Sequence, residues 1–171
     1  MAERRVVKVK DRKGKIEVAY ELERTGDDPD QVTVRCGDAP HPEFRKALDD
    51  LRPHVAEICE LSKAWSQNLD ICGVSLSYAE DANGDPVLGA TITAMKPLGA
   101  SHGPLVINTP HKPERPYSGQ GDDSEEFCLS GECAEVLEEV IRQALAYVDG
   151  RRAQGMFGFA AEEPEAVGAK G

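Results

Sequence analysis

Aromatic residues are scarce in this chain, and long apolar runs are missing. Phe, Trp and Tyr make up 5% of its 171 residues, with Trp65 the single tryptophan. No stretch reaches the roughly 18 consecutive apolar residues that a membrane-spanning helix needs. The opening segment, MAERRVVKVKDRKGK, is charged throughout and lacks the apolar core of a secretory signal. These absences lead to the expectation of an intracellular, cytoplasmic protein with a modest core. The length suits one domain.

Recognisable catalytic and metal-binding signatures are also missing. The five cysteines, Cys36, Cys59, Cys72, Cys128 and Cys133, are odd in number and contain no CxxC pair. That argues against a disulfide framework and for small buried thiols. There is no GxSxG elbow, Walker A loop or HExxH pair. Acidic surroundings at Cys128 and Cys133 raise a thiol pKa and blunt its reactivity. His41 and His111 stand in PHPE and PHKPE, a spacing more typical of turns than of a metal centre. No catalytic residue, metal or cofactor is expected.

Charge is abundant and uneven. The net charge is −11, but Met1 to Lys15 hold seven basic and two acidic residues, which leaves −16 on the remainder. An acidic body repels duplex phosphate and suits a protein partner. The basic candidates for nucleic acid are Arg4, Arg5, Lys8, Lys10, Arg12, Lys13 and Lys15, with Trp65 as a stacking surface for a single strand. Lysines on an edge hairpin also discourage strand pairing.

Periodicity supplies the elements. RVVKVKD and KIEVAYELE flank the turn RKGK and predict a hairpin, with Ile16, Val18, Tyr20 and Leu22 alternating. RTGDDPD is expected as a loop and QVTVRC as a third strand. Phe44, Ala47, Leu48, Leu51, Val55 and Ile58 then share a helical face, which Pro53 kinks or divides. SKAWSQNL is expected as a connector. Two strands surround the turn ANGD, PLVINTPH is a sixth strand, and a long polar loop follows. SGECAEVLEEVIRQALAYVDG is the clearest helix, with Ser130 as cap and Gly150 as stop. The order is βββα–βββα. The expected fold is α+β, with mostly antiparallel sheet packed by two helices over residues 1–152, and a flexible acidic tail over 153–171. An OB-like barrel is the alternative. QVTVRCGDAPHPE and PLVINTPHKPE also echo each other, as a duplication would.

The tail carries Gln154-Gly155-Met156-Phe157-Gly158-Phe159. This segment resembles the linear motif by which bacterial replication and repair proteins bind the sliding clamp. Gln154 matches its first position and Phe159 its last. Phe157 stands where leucine is usual, and Gly155 departs from the common leucine. The resemblance implies that the amide of Gln154 fixes register while Met156, Phe157 and Phe159 fill a groove. Docking of the two phenylalanines back onto the domain is the competing expectation. GVSLSY, TITAMKPL and PLVINTPH, with RRAQ at the helix end, are similar to small uncharacterised proteins encoded by phages and prophages. That similarity implies a phage DNA-metabolism setting, in the host cytoplasm.

The functional expectation is therefore a non-catalytic accessory protein of DNA replication, recombination or host takeover. It would act by protein contacts, including sliding-clamp binding through the tail. The alternatives are an OB-type single-stranded-DNA binder and an acidic decoy of a host DNA-binding or defence protein.

Overall fold

A computed structural model describes residues 3–99, 103–116 and 127–152. The Gln154–Phe159 motif and most of the polar loop after Pro116 lie outside the described residues. The elements run β1 (Arg4–Arg12), β2 (Lys15–Arg24), β3 (Asp27–Arg35), α1 (Pro42–Asp49), α2 (Arg52–Ile58), α3 (Lys63–Ser66), β4 (Asp70–Glu80), β5 (Pro86–Lys96), β6 (Leu105–Asn108), β7 (Lys112–Pro113) and α4 (Gly131–Val148).

All pairings are antiparallel, in the order β3-β2-β1-β4-β5-β6, with β7 also on β5. The sheet is open, with β3 and β6 as its edges, so the α+β expectation holds and the barrel alternative does not. β6 and β7 form one interrupted strand along β5. Thr109 bridges the interruption: its N–H donates to the Ile92 carbonyl at 2.9 Å, and its Oγ1 accepts from the Ile92 N–H at 2.9 Å.

Three local expectations change. RTGDDPD contracts to a turn at Thr25-Gly26, because Asp27 to Asp30 already pair with β2. The connector SKAWSQNL contains α3. The apparent duplication ends where its helices should begin. Pro42-Glu43 opens α1, with His41 Nδ1 accepting from the Glu43 N–H at 3.2 Å, whereas the Glu114 N–H donates to Leu88 of β5 at 2.7 Å. Pro53 does divide the first helix, because it cannot donate to a carbonyl one turn back.

Inward residues of the strands, among them Val9, Val18, Val74 and Ile92, meet Phe44, Leu48 and Leu51 from the first helical segment and Leu137, Val140 and Ala144 from α4. Ser130 caps α4 by accepting from the Cys133 N–H at 3.1 Å, and Gly150, at φ 109°, ends it. Tyr147 is fully buried at the junction. Its ring meets Phe44 edge-on at 5.8 Å, and its hydroxyl lies 3.3 Å and 3.4 Å from the carbonyls of Ile16 and Cys36. The Arg152 guanidinium closes over the same ring at 3.8 Å. Buried Gln143 bonds Glu139 and Arg151, and Arg151 pairs with Glu43 of α1 at 3.2 Å. Arg151 holds the Glu43 carboxyl below its ordinary range.

Buried Tyr147 and half-buried Tyr78 make stability sensitive to alkali. Burial pushes Tyr147 and Tyr78 up to about 12, and Tyr78 donates to the Val6 carbonyl at 2.8 Å. The unfolded chain ionises its tyrosines near pH ~10, so above that pH only the unfolded state gains charge. Stability should hold below pH ~10 and fall as pH rises toward ~12. Thermal melts across this window should show a steep decline in wild type and a flatter one in Tyr78→Phe/Tyr147→Phe. Equal slopes would contradict the assignment. Truncating Tyr147 to alanine should cost roughly 3–5 kcal/mol.

Candidate functional site

Both α1 and α4 pack on one side of the sheet, so the other side of the strands has no helical cover among the described residues, although Ala19 and Val87 on that side are buried. Pairing register shows which residues share that open face. One row across the strands is Thr33, Ala19, Lys8, Ser75 and Thr91. The next row is Arg35, Glu17, Lys10, Gly73, Thr93 and Asn108. Arg12 and Lys15 pair at the end of the first hairpin and extend the same face. The open face therefore carries hydroxyl-bearing and small residues over β4 and β5, and a basic corner over β1, β2 and β3.

The carboxylates beside this corner already have partners. Glu17 accepts from the Arg35 Nε at 2.6 Å. Asp11, on the opposite side of β1, pairs with Arg45 and accepts from the Gly14 N–H at 2.8 Å. Lys8, Lys10, Arg12 and Lys15 form no ion pair among the described residues. Lys8 crowds Lys10 and holds its ammonium below the usual lysine value. Two shallow grooves meet at Arg12. One, of about 220 Å³, has Lys8, Lys10, Ser75 and Thr93 in its walls. The other, of about 320 Å³, has Lys15, Glu17 and Arg35.

The basic residues singled out from the sequence are divided by the fold. Arg4 turns to the helical side, holding both oxygens of Asp149 at 2.8 Å and 3.0 Å and covering the Tyr20 ring. Arg5 covers Tyr78 and lies within 3.6 Å of Glu3 and 3.9 Å of Glu23. Lys13 sits in the hairpin turn at φ 55°, beside a cleft whose Arg45, Asp49 and Arg52 pair with one another. Trp65 stands on α3 with Lys96 over its ring at 4.9 Å, and neither groove includes it. Only Lys8, Lys10, Arg12 and Lys15 converge. Arg35 joins them. Alternation within QVTVRC places Arg35 opposite the half-buried Val32 and Val34, a signal available from the sequence.

A second cluster lies higher on the open face. His111 crosses Gly89 so that its Nε2 stands 3.1 Å from Ser77 Oγ. His41 belongs to the helix cap, so the two histidines of the sequence echo are held by different elements. No metal-capable cluster of three His, Cys, Asp or Glu occurs among the described residues. Cys133 and Cys59 are pushed up by burial, Cys133 to about 12, which leaves their thiols protonated.

One edge of the sheet differs from the other. β3 carries Asp28, Pro29 and Asp30, which blunt strand addition. β6 has no charged residue. Leu105 and Val106 are 41% and 54% exposed, and Leu98 nearby is 43% exposed. No helix among the described residues is long and apolar enough to cross a membrane. No family model, curated protein or solved structure matches this chain.

The close approach of strands yields a paired prediction. A Cβ on Gly73 would lie 2.8 Å from the Val9 carbonyl oxygen, which is backbone and cannot turn away. A Cβ on Gly89 would lie 2.6 Å from His111 Nε2, a side chain that can swing out. Gly73→Ala should therefore cost about 1–3 kcal/mol in chemical denaturation. Gly89→Ala should cost less, yet abolish the Ser77–His111 hydrogen bond, as seen in the ring-nitrogen shifts of His111. The reverse order of stabilities would contradict the geometry.

Proposed function

We propose that this protein is a non-catalytic accessory factor that works by protein–protein contacts, in a phage-type DNA replication, recombination or host-takeover setting. The observation that carries the proposal is the β6 edge. Exposed Leu105 and Val106 lie on an uncharged strand whose outer edge has no partner strand among the described residues, while the opposite edge is guarded by acid and proline. Such an edge supports partner binding by strand addition, where main-chain hydrogen bonds supply affinity and side-chain pockets supply choice. The tail would add a second contact, with Gln154, Met156, Phe157 and Phe159 entering the sliding-clamp groove. A domain and a linear peptide acting together raise avidity without new contacts.

Two measurements separate these contacts. A fluorescent peptide of residues 151–163 should bind purified bacterial clamp with micromolar affinity, about −8 kcal/mol at 1 µM. Gln154→Ala/Phe159→Ala should abolish that binding, and equal binding by this variant would sink the clamp assignment. For the edge, affinity capture from host lysate should be run with full-length wild type and with Val106→Lys. Proteins retained by wild type and lost by Val106→Lys, then reconstituted from purified components, would support the edge. Identical captured sets would contradict it.

A further inference from the structure

A separate observation, independent of the β6 edge, concerns the basic corner of the open face. We propose that Lys8, Lys10, Arg12, Lys15 and Arg35 form a binding track for the phosphate backbone of single-stranded nucleic acid, with no part played by the bases.

Geometry fixes the form of the track. Lys8, Lys10 and Arg12 are alternate residues of β1, so their side chains leave the same face at intervals of about 6.8 Å and span about 13 Å. Lys15 and Arg35 stand on the neighbouring strands β2 and β3, each strand step adding about 4.8 Å. Lys8, Lys10, Arg12, Lys15 and Arg35 are offset in their rows by one carboxylate, Glu17, which Arg35 holds, so five positive charges less one negative leave a local excess of four. On a molecule of net charge −11, such a cluster selects an anion and holds it where local attraction exceeds the repulsion of the body. Ser75 and Thr93 complete the adjoining groove, and hydroxyls of this kind donate to phosphate oxygens.

The surroundings select among phosphate-bearing chains. The corner is built on a flat sheet face, and among the described residues no helix stands on it to enter a duplex groove, so an extended single strand lying across the sheet makes the most contacts. The residues of the open-face rows include no aromatic side chain, since Tyr20 and Tyr78 pair with the core residues Val6 and Leu88 and Trp65 sits on α3. Without a stacking platform, the bases contribute no affinity of their own. The track reads charge and spacing and not sequence.

Fluorescence anisotropy with the full chain tests this at low salt. Labelled oligo-dT and oligo-dA should bind equally. A methylphosphonate strand of the same length, which lacks backbone charge, should not bind. With three to four phosphates neutralised, affinity should fall with salt at a log–log slope of about −2 to −3, which is near absence of binding at physiological salt. Lys8→Gln/Lys10→Gln should lose at least tenfold in affinity and reduce the slope by about 1.4. Arg12→Gln/Arg35→Gln should do the same from the other end of the track, so a folding defect in one variant leaves the other to decide. Lys13→Gln, outside the track, should bind as wild type. Four results would overturn the proposal: unchanged binding in both double variants, binding of the methylphosphonate strand, tenfold preference between dT and dA, or displacement by pyrophosphate at the concentration where the oligonucleotide itself competes.

Discussion

The phenol of Tyr147 reaches from α4 to the carbonyls of Ile16 and Cys36, at the far end of the first hairpin and of β3. Its ring at the same time meets Phe44 of α1. One buried side chain therefore ties both helical layers to the same side of the sheet. Leu137, Val140 and Ala144 follow from that placement, since α4 can lie only along the strands that Tyr147 reaches. With α1 and α4 on one face, residues such as Lys8, Ser75 and Thr93 that alternate with the core have no helical cover among the described residues, although Ala19 and Val87 on the same side are buried. The polar rows, the basic corner and the Ser77–His111 contact all depend on this sidedness.

Polar interactions divide along the same line. On the helical side, charges are paired: Arg4 with Asp149, Arg151 with Glu43, Arg45 with Asp11 and Asp49. Most are partly exposed, so their energetic worth is modest and their main effect is to fix helix orientation. On the open side, Glu17 is taken by Arg35, and the lysines of β1 remain unmatched. The acidic excess of the chain as a whole hides this local reversal. Net charge described the molecule correctly and the corner incorrectly.

Much of the architecture was legible from short-range pattern. Val74, Leu76 and Tyr78 alternate as half-buried strands do, Ser130 and Gly150 mark the ends of α4, and Pro53 divides the first helix. What escaped was long-range. Whether six strands close or stay open depends on edge pairing that no local run encodes, so the barrel and the open sheet looked alike. Gln143 and Tyr147 interrupt an otherwise apolar helix stripe, and only the facing Glu43, Arg151 and backbone carbonyls explain their burial. For the site, Lys8 and Lys10 were legible as neighbours on one face of a strand. Arg4 and Arg5 looked equivalent to them. The bulge between Val6 and Lys8 breaks the alternation, and Asp149 and Tyr78 claim the two arginines. The strand face of Arg35 was readable from alternation, but its alignment with Lys10 passes through Glu17 on β2, a relation set by register.

Binding at the basic corner requires the open face to be open in the full-length protein. Methyl relaxation in the presence of a soluble paramagnetic chelate measures this directly. The methyls of Thr33, Thr91 and Thr93 should relax strongly, while those of Ala90, Ala94 and Val74 on the helical side should stay protected. If Thr91 and Thr93 were as protected as Ala90 and Ala94, something would cover that face, and the one-sided arrangement proposed for binding would be wrong.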